Sequence, residues 1–218
     1  YKRQPQIIST PELHREWATY DKMSDAFSEV WWIEGHPLWI LTFPDADKTW
    51  VYDSSSQSWS EFNRYFEDIT KRGRMSTRGS AFFNNQIVTG DFRNGNLYTV
   101  SFDTQDDDGK AILCTADSQK VWDGDRRMFH SRIDLFFERG VGLTDDANQG
   151  HNPQVRLQYS NDDGNTWKDC GWKDIGKKGE YEHRVYWTRL GSARTRIYRI
   201  TVSDPVEWLL SGGEIDVA

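Results

Sequence analysis

Between residues 26 and 103 the chain alternates short aromatic or β-branched runs with tight turns of Gly, Asn, Asp and Ser, a rhythm that confines it to antiparallel strands. Residues 26–36 alternate in part and end at Gly35-His36. Leu38-Trp39-Ile40-Leu41-Thr42-Phe43 is unbroken, the pattern of a strand covered on both faces. A polar turn at 44–48 leads into Thr49-Trp50-Val51-Tyr52-Asp53, and a serine-rich turn leads into Trp59-Ser60-Glu61-Phe62. Three or four strands thus fit within about 40 residues, the length of one propeller blade. A second unit follows. Residues 79–83 and 86–91 flank Asn84-Asn85, a pair tolerant of left-handed backbone, and residues 97–103 return after another turn. The two units share a rhythm that closes on Asp, not a residue-by-residue repeat.

Only 36% of the residues are hydrophobic and mean hydropathy is −0.81, values that raise the question of disorder. Eleven Trp and an aromatic fraction of 14% answer it, because each ring buries a large area and can replace several aliphatic side chains in a thin core. Strand context places Trp31, Trp32, Trp39, Trp50 and Trp59 inside.

The fold class read from the chain is all-β, with propeller-like antiparallel blades that make up a complete or an incomplete propeller, and a short N-terminal helix. Three segments are expected. Residues 1–22 hold the helix, with Ser9 or Thr10 as N-cap, Pro11 in the first turn and an end near Tyr20. Residues 23–127 form the blades. Residues 128–218 form a further β region of alternating strands at 129–138, 154–160, 184–190 and 196–202, with a last strand over 203–210. Asp134 and Glu138 are expected to face solvent on an edge strand. Beginning at Tyr1 without Met, the chain reads as a fragment, a processed product or the ordered part of something longer.

Lys and Arg number 27 against 34 Asp and Glu, for a net charge of −7. A protein that grips DNA through phosphates needs a cationic face, so direct nucleic-acid binding is the weakest reading. Cys114 and Cys170 stand far apart and outside any CxxC spacing; a disulfide between them is the lesser reading. Five scattered His give no zinc pattern, and each reads as a surface or hydrogen-bonded residue. Asp106-Asp107-Asp108-Gly109 departs from EF-hand spacing and reads as a solvated turn before a calcium site. No apolar run is long enough to cross a membrane, and no signal peptide is visible.

The sharpest local motif is Ser160-Asn161-Asp162-Asp163-Gly164-Asn165-Thr166-Trp167, which matches the Asp-box S-x-D-x-G-x-T-W. Asp162 is expected to accept from the turn's own amides, Gly164 to take the strained backbone position, and Trp167 to pack beneath. Such turns also occur in sialidases, away from the chemistry, so the structural role is preferred. No spacing forces a glycosidase pair of carboxylates or an arginine cluster with a nucleophile. Arg184, Arg189, Arg194, Arg196 and Arg199 form the one basic concentration. They read first as the solvent face of alternating strands, and second as contacts to an acidic protein partner.

Several strings occur together in a specific order: Ile8-Ser9-Thr10, Gly35-His36, Leu41-Thr42-Phe43-Pro44, Thr49 to Asp53, Gly90-Asp91 and Gly95-Asn96-Leu97-Tyr98. They continue with Glu138 to Gly142, Asn152-Pro153-Gln154-Val155, the Asp-box, Gly176 to Tyr181, Arg189 to Arg194 and Ser203-Asp204-Pro205-Val206. Over nearly its whole length the chain resembles the C-terminal half of the packaged-DNA stabilisation proteins, the tail-hub or head-completion proteins of short-tailed phages. That resemblance implies a structural virion protein, not an enzyme, with no cofactor. It would self-associate into a ring below the portal, closing the DNA exit and touching the portal adaptor, the tail needle and the tailspikes, with no sequence-specific nucleic-acid or membrane contact. It implies location in the virion tail, and in the host cytoplasm during assembly. The competing reading is a carbohydrate-binding or glycoside-hydrolysing propeller.

Overall fold

A computed structural model describes residues 6–65, 72–138, 140–144 and 149–218. Residues 1–5 of the expected first segment, Arg139 of the Glu138 to Gly142 string, and residues 145–148 lie outside the described residues. The chain divides into two compact units, Tyr1–Thr104 and Gln105–Ala218.

The first unit opens with α1 (Pro11–Trp17). Thr10 is its N-cap, with Oγ1 accepting from Leu13 N, and Pro11 supplies the first turn as expected. The helix stops at Trp17, short of Tyr20, because the last amides tighten to i−3 bonds: Thr19 N donates to Glu16 O and Tyr20 N to Trp17 O. Next comes a four-stranded antiparallel sheet in chain order, β1 (Phe27–Ile33), β2 (His36–Phe43), β3 (Lys48–Asp53) and β4 (Ser58–Glu61). A small hairpin, β5 (Asn63–Tyr65) with β6 (Arg72–Arg74), leads to a three-stranded sheet of β7 (Thr77–Phe83), β8 (Gln86–Asp91) and β9 (Leu97–Val100). Asn84 and Asn85 both have positive φ, 49° and 62°, the left-handed pair that a two-residue hairpin turn requires.

Trp31, Ile33, Leu38, Ile40 and Val51 line one face of the first sheet and pack with Ile87 of β8, with Phe62, Met75 and Val100 at the margin. The opposite face is aromatic. Trp39, Tyr52 and Trp59 lie ring to ring, and α1 lays Trp17 over Trp59 and Phe43 at 5.7 and 5.8 Å. Trp59 Nε1 donates to Ile8 O and Trp50 Nε1 to Tyr20 Oη. One expectation fails here. Strand alternation sends Trp31 inward and Trp32 outward, so Trp32 is two-thirds exposed.

The second unit begins with a two-rung hairpin of β10 (Asp106–Asp107) and β11 (Lys110–Ala111), in which Asp106 Oδ1 accepts from Gly109 N at the turn. Its body is two sheets facing each other. One contains β12 (Cys114–Asp117), β19 (Thr195–Val202), β15 (Gln154–Ser160) and β16 (Lys168–Asp174), with β13 (Val121–Trp122) also pairing β19. In the other, β14 (Met128–Phe137) is central, flanked by β17 (Val185–Thr188) and β18 (Ser192–Ala193) on one side and β20 (Leu210–Val217) on the other. Ile133, Leu135 and Phe137 from the second sheet meet Val155, Leu157, Tyr198, Ile200 and Val202 from the first in one core. This is a sandwich, not another blade.

Three expectations change. The boundary expected at 127/128 falls inside the second unit, because β12 and β13 bond to β19. The last strand is residues 210–217, not 203–210: Asp204 instead accepts from Gln154 N, and Pro205 has no amide to give a ladder. Asp134 sits on a central strand, half-buried, and not on an edge; Glu138 is solvent-facing as expected.

Candidate functional site

The Asp-box forms the turn between β15 and β16. Ser160, fully buried at the end of β15, donates through Oγ to Asp162 Oδ1 and accepts from Gly164 N at 2.8 Å. Asp162 accepts from Thr166 N and Oγ1. Those bonds from Thr166, then that from Ser160, hold the Asp162 carboxyl down to about 2. Asp163 and Gly164 both take positive φ, 57° and 93°. Trp167 lies below the turn, and the Arg199 guanidinium stacks 3.7 Å above its ring. Both oxygens of the Asp162 carboxylate accept from residues of its own turn, Oδ1 from Ser160 Oγ and Thr166 N and Oδ2 from Thr166 Oγ1, which is the work of a turn brace.

The five arginines do not converge. Arg184 and Arg189 flank opposite ends of β17, while Arg194, Arg196 and Arg199 belong to the other sheet or its entry. Arg199 is bidentate to Asp117 at 2.6 and 2.7 Å. Arg194 makes an exposed pair with Asp125, and Arg189 takes a positive φ of 59° at an exposed turn. Arg196 overturns the expectation of a solvent face and of a partner contact. It is 1% exposed, donating to Asn161 Oδ1 and Leu190 O beneath the Tyr159 ring. Alternation along β19 aims residues 196, 198, 200 and 202 inward, and the core supplies the acceptors that a buried guanidinium needs.

Beside Arg196 lies His130, 1% exposed, whose Nδ1 shares a 2.8 Å hydrogen bond with Tyr198 Oη across the two sheets. Its Nε2 is buried with no partner. Burial, and then the nearby Arg196 charge, push this imidazole down to about 4.

Two groupings resemble chemistry. In the first unit His36, Asp53 and Ser55 meet, but Ser55 Oγ and Asp53 Oδ2 both approach the same ring nitrogen, Nδ1, at 2.9 Å. A relay needs the nucleophile and the orienting acid on opposite nitrogens, so this is a turn clasp. The Ser55 hydroxyl is the largest cause holding Asp53 well below the usual carboxylate range. In the second unit a depression of about 490 Å³ opens beside Arg132, Asp134, Phe136, His183, Arg184 and Glu214. Asp134 and Glu214 are register partners on β14 and β20, but the bidentate Arg132 fork keeps Asp134 ionised, its pKa lowered. That removes Asp134 as a general acid. Arg132, Phe136 and Glu214 escaped sequence reasoning. A β-bulge between His130 and Arg132 shifts the alternation, and the facing strand β20 is masked in the sequence by Gly212-Gly213.

Cys114 and Cys170 are both free thiols. Burial raises both, Cys170 to about 11. Among the described residues no three His, Cys, Asp or Glu side chains are grouped as a metal site, and no helix is long and apolar enough to cross a membrane.

Two family models match in tandem. That described as the bacteriophage P22 Gp10 β-propeller matches residues 2–105, and that described as the bacteriophage P22 Gp10 β-sandwich matches residues 115–218. No curated protein matches the chain. The matched segments coincide with the two compact units, blades first and sandwich second. The chain therefore belongs to the P22 Gp10 family of phage structural proteins, which stabilise packaged DNA or form part of the tail.

Proposed function

We propose that this chain is a non-enzymatic component of the tail hub, closing the portal exit after packaging and linking the portal adaptor to the tail needle and tailspikes. The observation that carries this reading is the succession of a propeller match and a sandwich match, each laid over one compact unit. The physical properties support it. Two bodies with short strands and cross-bonded cores make stiff parts, and stiff parts repeated in a ring multiply modest contacts by symmetry. The surface is acidic overall, which keeps neighbouring DNA from adhering. Arg184, Arg189 and Arg194 are the exposed members of the arginine group, and of these Arg189 and Arg194 serve as contacts to acidic partner surfaces, where Arg concentrates binding energy.

Packaged heads that carry portal and adaptor but lack this protein provide the test. Adding the purified full chain should make it sediment with the heads and should reduce the DNA that becomes nuclease-sensitive on standing. Equal release with and without the chain, and no co-sedimentation, refutes the reading.

A further inference from the structure

The outer face of the β17–β14–β20 sheet holds a site that the hub reading does not use. Its rungs are set by the register. Asp134 lies between Tyr186 and Glu214, and Phe136 lies opposite Gly212. Because Gly212 has no side chain, the flank of the Phe136 ring is open; a Cβ there would come within 3.9 Å of Phe136 Cδ2. Phe136 is 42% exposed although both sequence neighbours are buried. Of the other outward aromatic rings on β14 and β17, Tyr186 is covered by the Arg132 guanidinium at 4.3 Å, and Phe129, 61% exposed, lies at the far end of β14 opposite Ser192 and does not line the depression. Phe136 is thus the uncovered platform, at the edge of the 490 Å³ depression.

Polar groups around that platform are matched in sign. Arg132 and Asp134 are locked together. Among the described residues, the side chains of Arg184 and Glu214 make no hydrogen bond or ion pair, although both line the depression and the Arg184 charge helps to lower Asp134. One offers N–H donors from the β17 side and the other a carboxylate acceptor from the β20 side. A cationic or anionic ligand would meet as much repulsion as attraction. The lining is half apolar, with Leu135, Phe137, Ile175 and Val185 beside Phe136, but those four are buried in the core, so a large apolar anchor would reach the Phe136 ring and leave the charged groups unmet. A neutral ring that carries hydroxyls, each both donor and acceptor, with a C–H face to lay on an arene, satisfies all three features. The volume falls within the range of small-molecule sites.

We propose that this depression is a saccharide-binding site, with a pyranose stacked on Phe136, hydroxyls accepting from Arg184 and donating to Glu214. The test uses the full chain on an immobilised oligosaccharide array, followed by saturation-transfer NMR with free maltose, lactose and cellobiose. Binding is expected in the millimolar range, at free concentrations up to about 10 mM. Phe136→Ala should weaken it about tenfold. Glu214→Gln and Gly212→Val change exposed or open positions and leave the core alone; the first removes the charged acceptor and the second fills the space over the ring, so both should also weaken binding. No saccharide signal overturns the proposal, as does binding that all three variants retain. An array that is silent while the chain still sediments with packaged heads would sink this site and leave the hub reading standing.

Discussion

Acidification should loosen the sandwich through one histidine, well before its carboxylates titrate. His130 is neutral in the folded protein, bonded to Tyr198 and crowded by the buried Arg196, and it takes a proton only near pH 4. In the unfolded chain an imidazole takes that proton near pH 6.5. As pH falls the unfolded state therefore gains protons first, and stability that is fully present above pH 6.5 is lost until the folded value is reached. With folded and unfolded values of about 4 and about 6.5, the loss is about 2 kcal/mol between pH 7.5 and 5, and about 3 kcal/mol by pH 4. Asp134, Asp162 and Asp169 are also held below their ordinary values, but their contribution is lost only as pH falls below about 4. The interval from 7.5 to 5 thus isolates the imidazole. Urea unfolding at the two pH values measures it, with His130→Gln as reference, because Gln keeps an acceptor for the Tyr198 hydroxyl and does not titrate. The variant should be less stable at pH 7.5 yet lose less than about 0.5 kcal/mol on acidification. Equal losses in the two proteins, or an NMR titration of His130 with a midpoint near 6.5, would refute the reasoning.

Three further outcomes are expected. Gly164→Ala forces a Cβ into the φ of 93° at the Asp-box turn and should cost about 1 kcal/mol in thermal unfolding, with the strand signal in circular dichroism unchanged. Arg64→Met leaves Asp91, whose side chain is 1% exposed, without the guanidinium 3.0 Å away; chemical denaturation should show a loss of about 3–5 kcal/mol confined to the first unit. Cys170, with its thiol pushed up to about 11, should react with a disulfide reagent at pH 8 far more slowly in the native protein than in denaturant.

Much of the first unit was legible because its strands are short and each turn carries its own chemistry. Asn84-Asn85, Glu34-Gly35 and the serine turn after Asp53 announce reversals with local residues alone. The Asp-box was legible for the same reason: the bonds that Ser160 and Asp162 make to Gly164 and Thr166 all fall within the motif. What could not be read depends on partners distant in sequence. Trp31 and Trp32 are chemically identical, and only the packing of Ile87 against one face decides which is buried. Arg196 looked like a member of a basic surface because its acceptors, Asn161 Oδ1 and Leu190 O, lie on other segments. β20 was missed because Gly212 and Gly213 lower its strand propensity, while the long edge of β14 against which it pairs supplies the stabilisation that its residues lack.

The buried polar groups explain how two bodies so poor in aliphatic residues keep a single register. A one-residue slip of β19 would turn Thr195, Ile197 and Arg199 into the core and expel Tyr198, Ile200 and Val202. In any sandwich such a slip turns the apolar face out to solvent. Here it would break the Tyr198–His130 bond and strip Arg196 of its two acceptors. It would also drag Arg199 away from Asp117 and off the Trp167 ring into a dry interior. The first unit uses the same device, where Thr49, fully buried, bonds Thr42 across the sheet and accepts from Met75 N, and Arg64 joins Ser76 to Asp91. Each contact adds little net stability, yet each makes the wrong register expensive. A part whose exposed side chains must meet fixed neighbours depends on that penalty more than on a larger core.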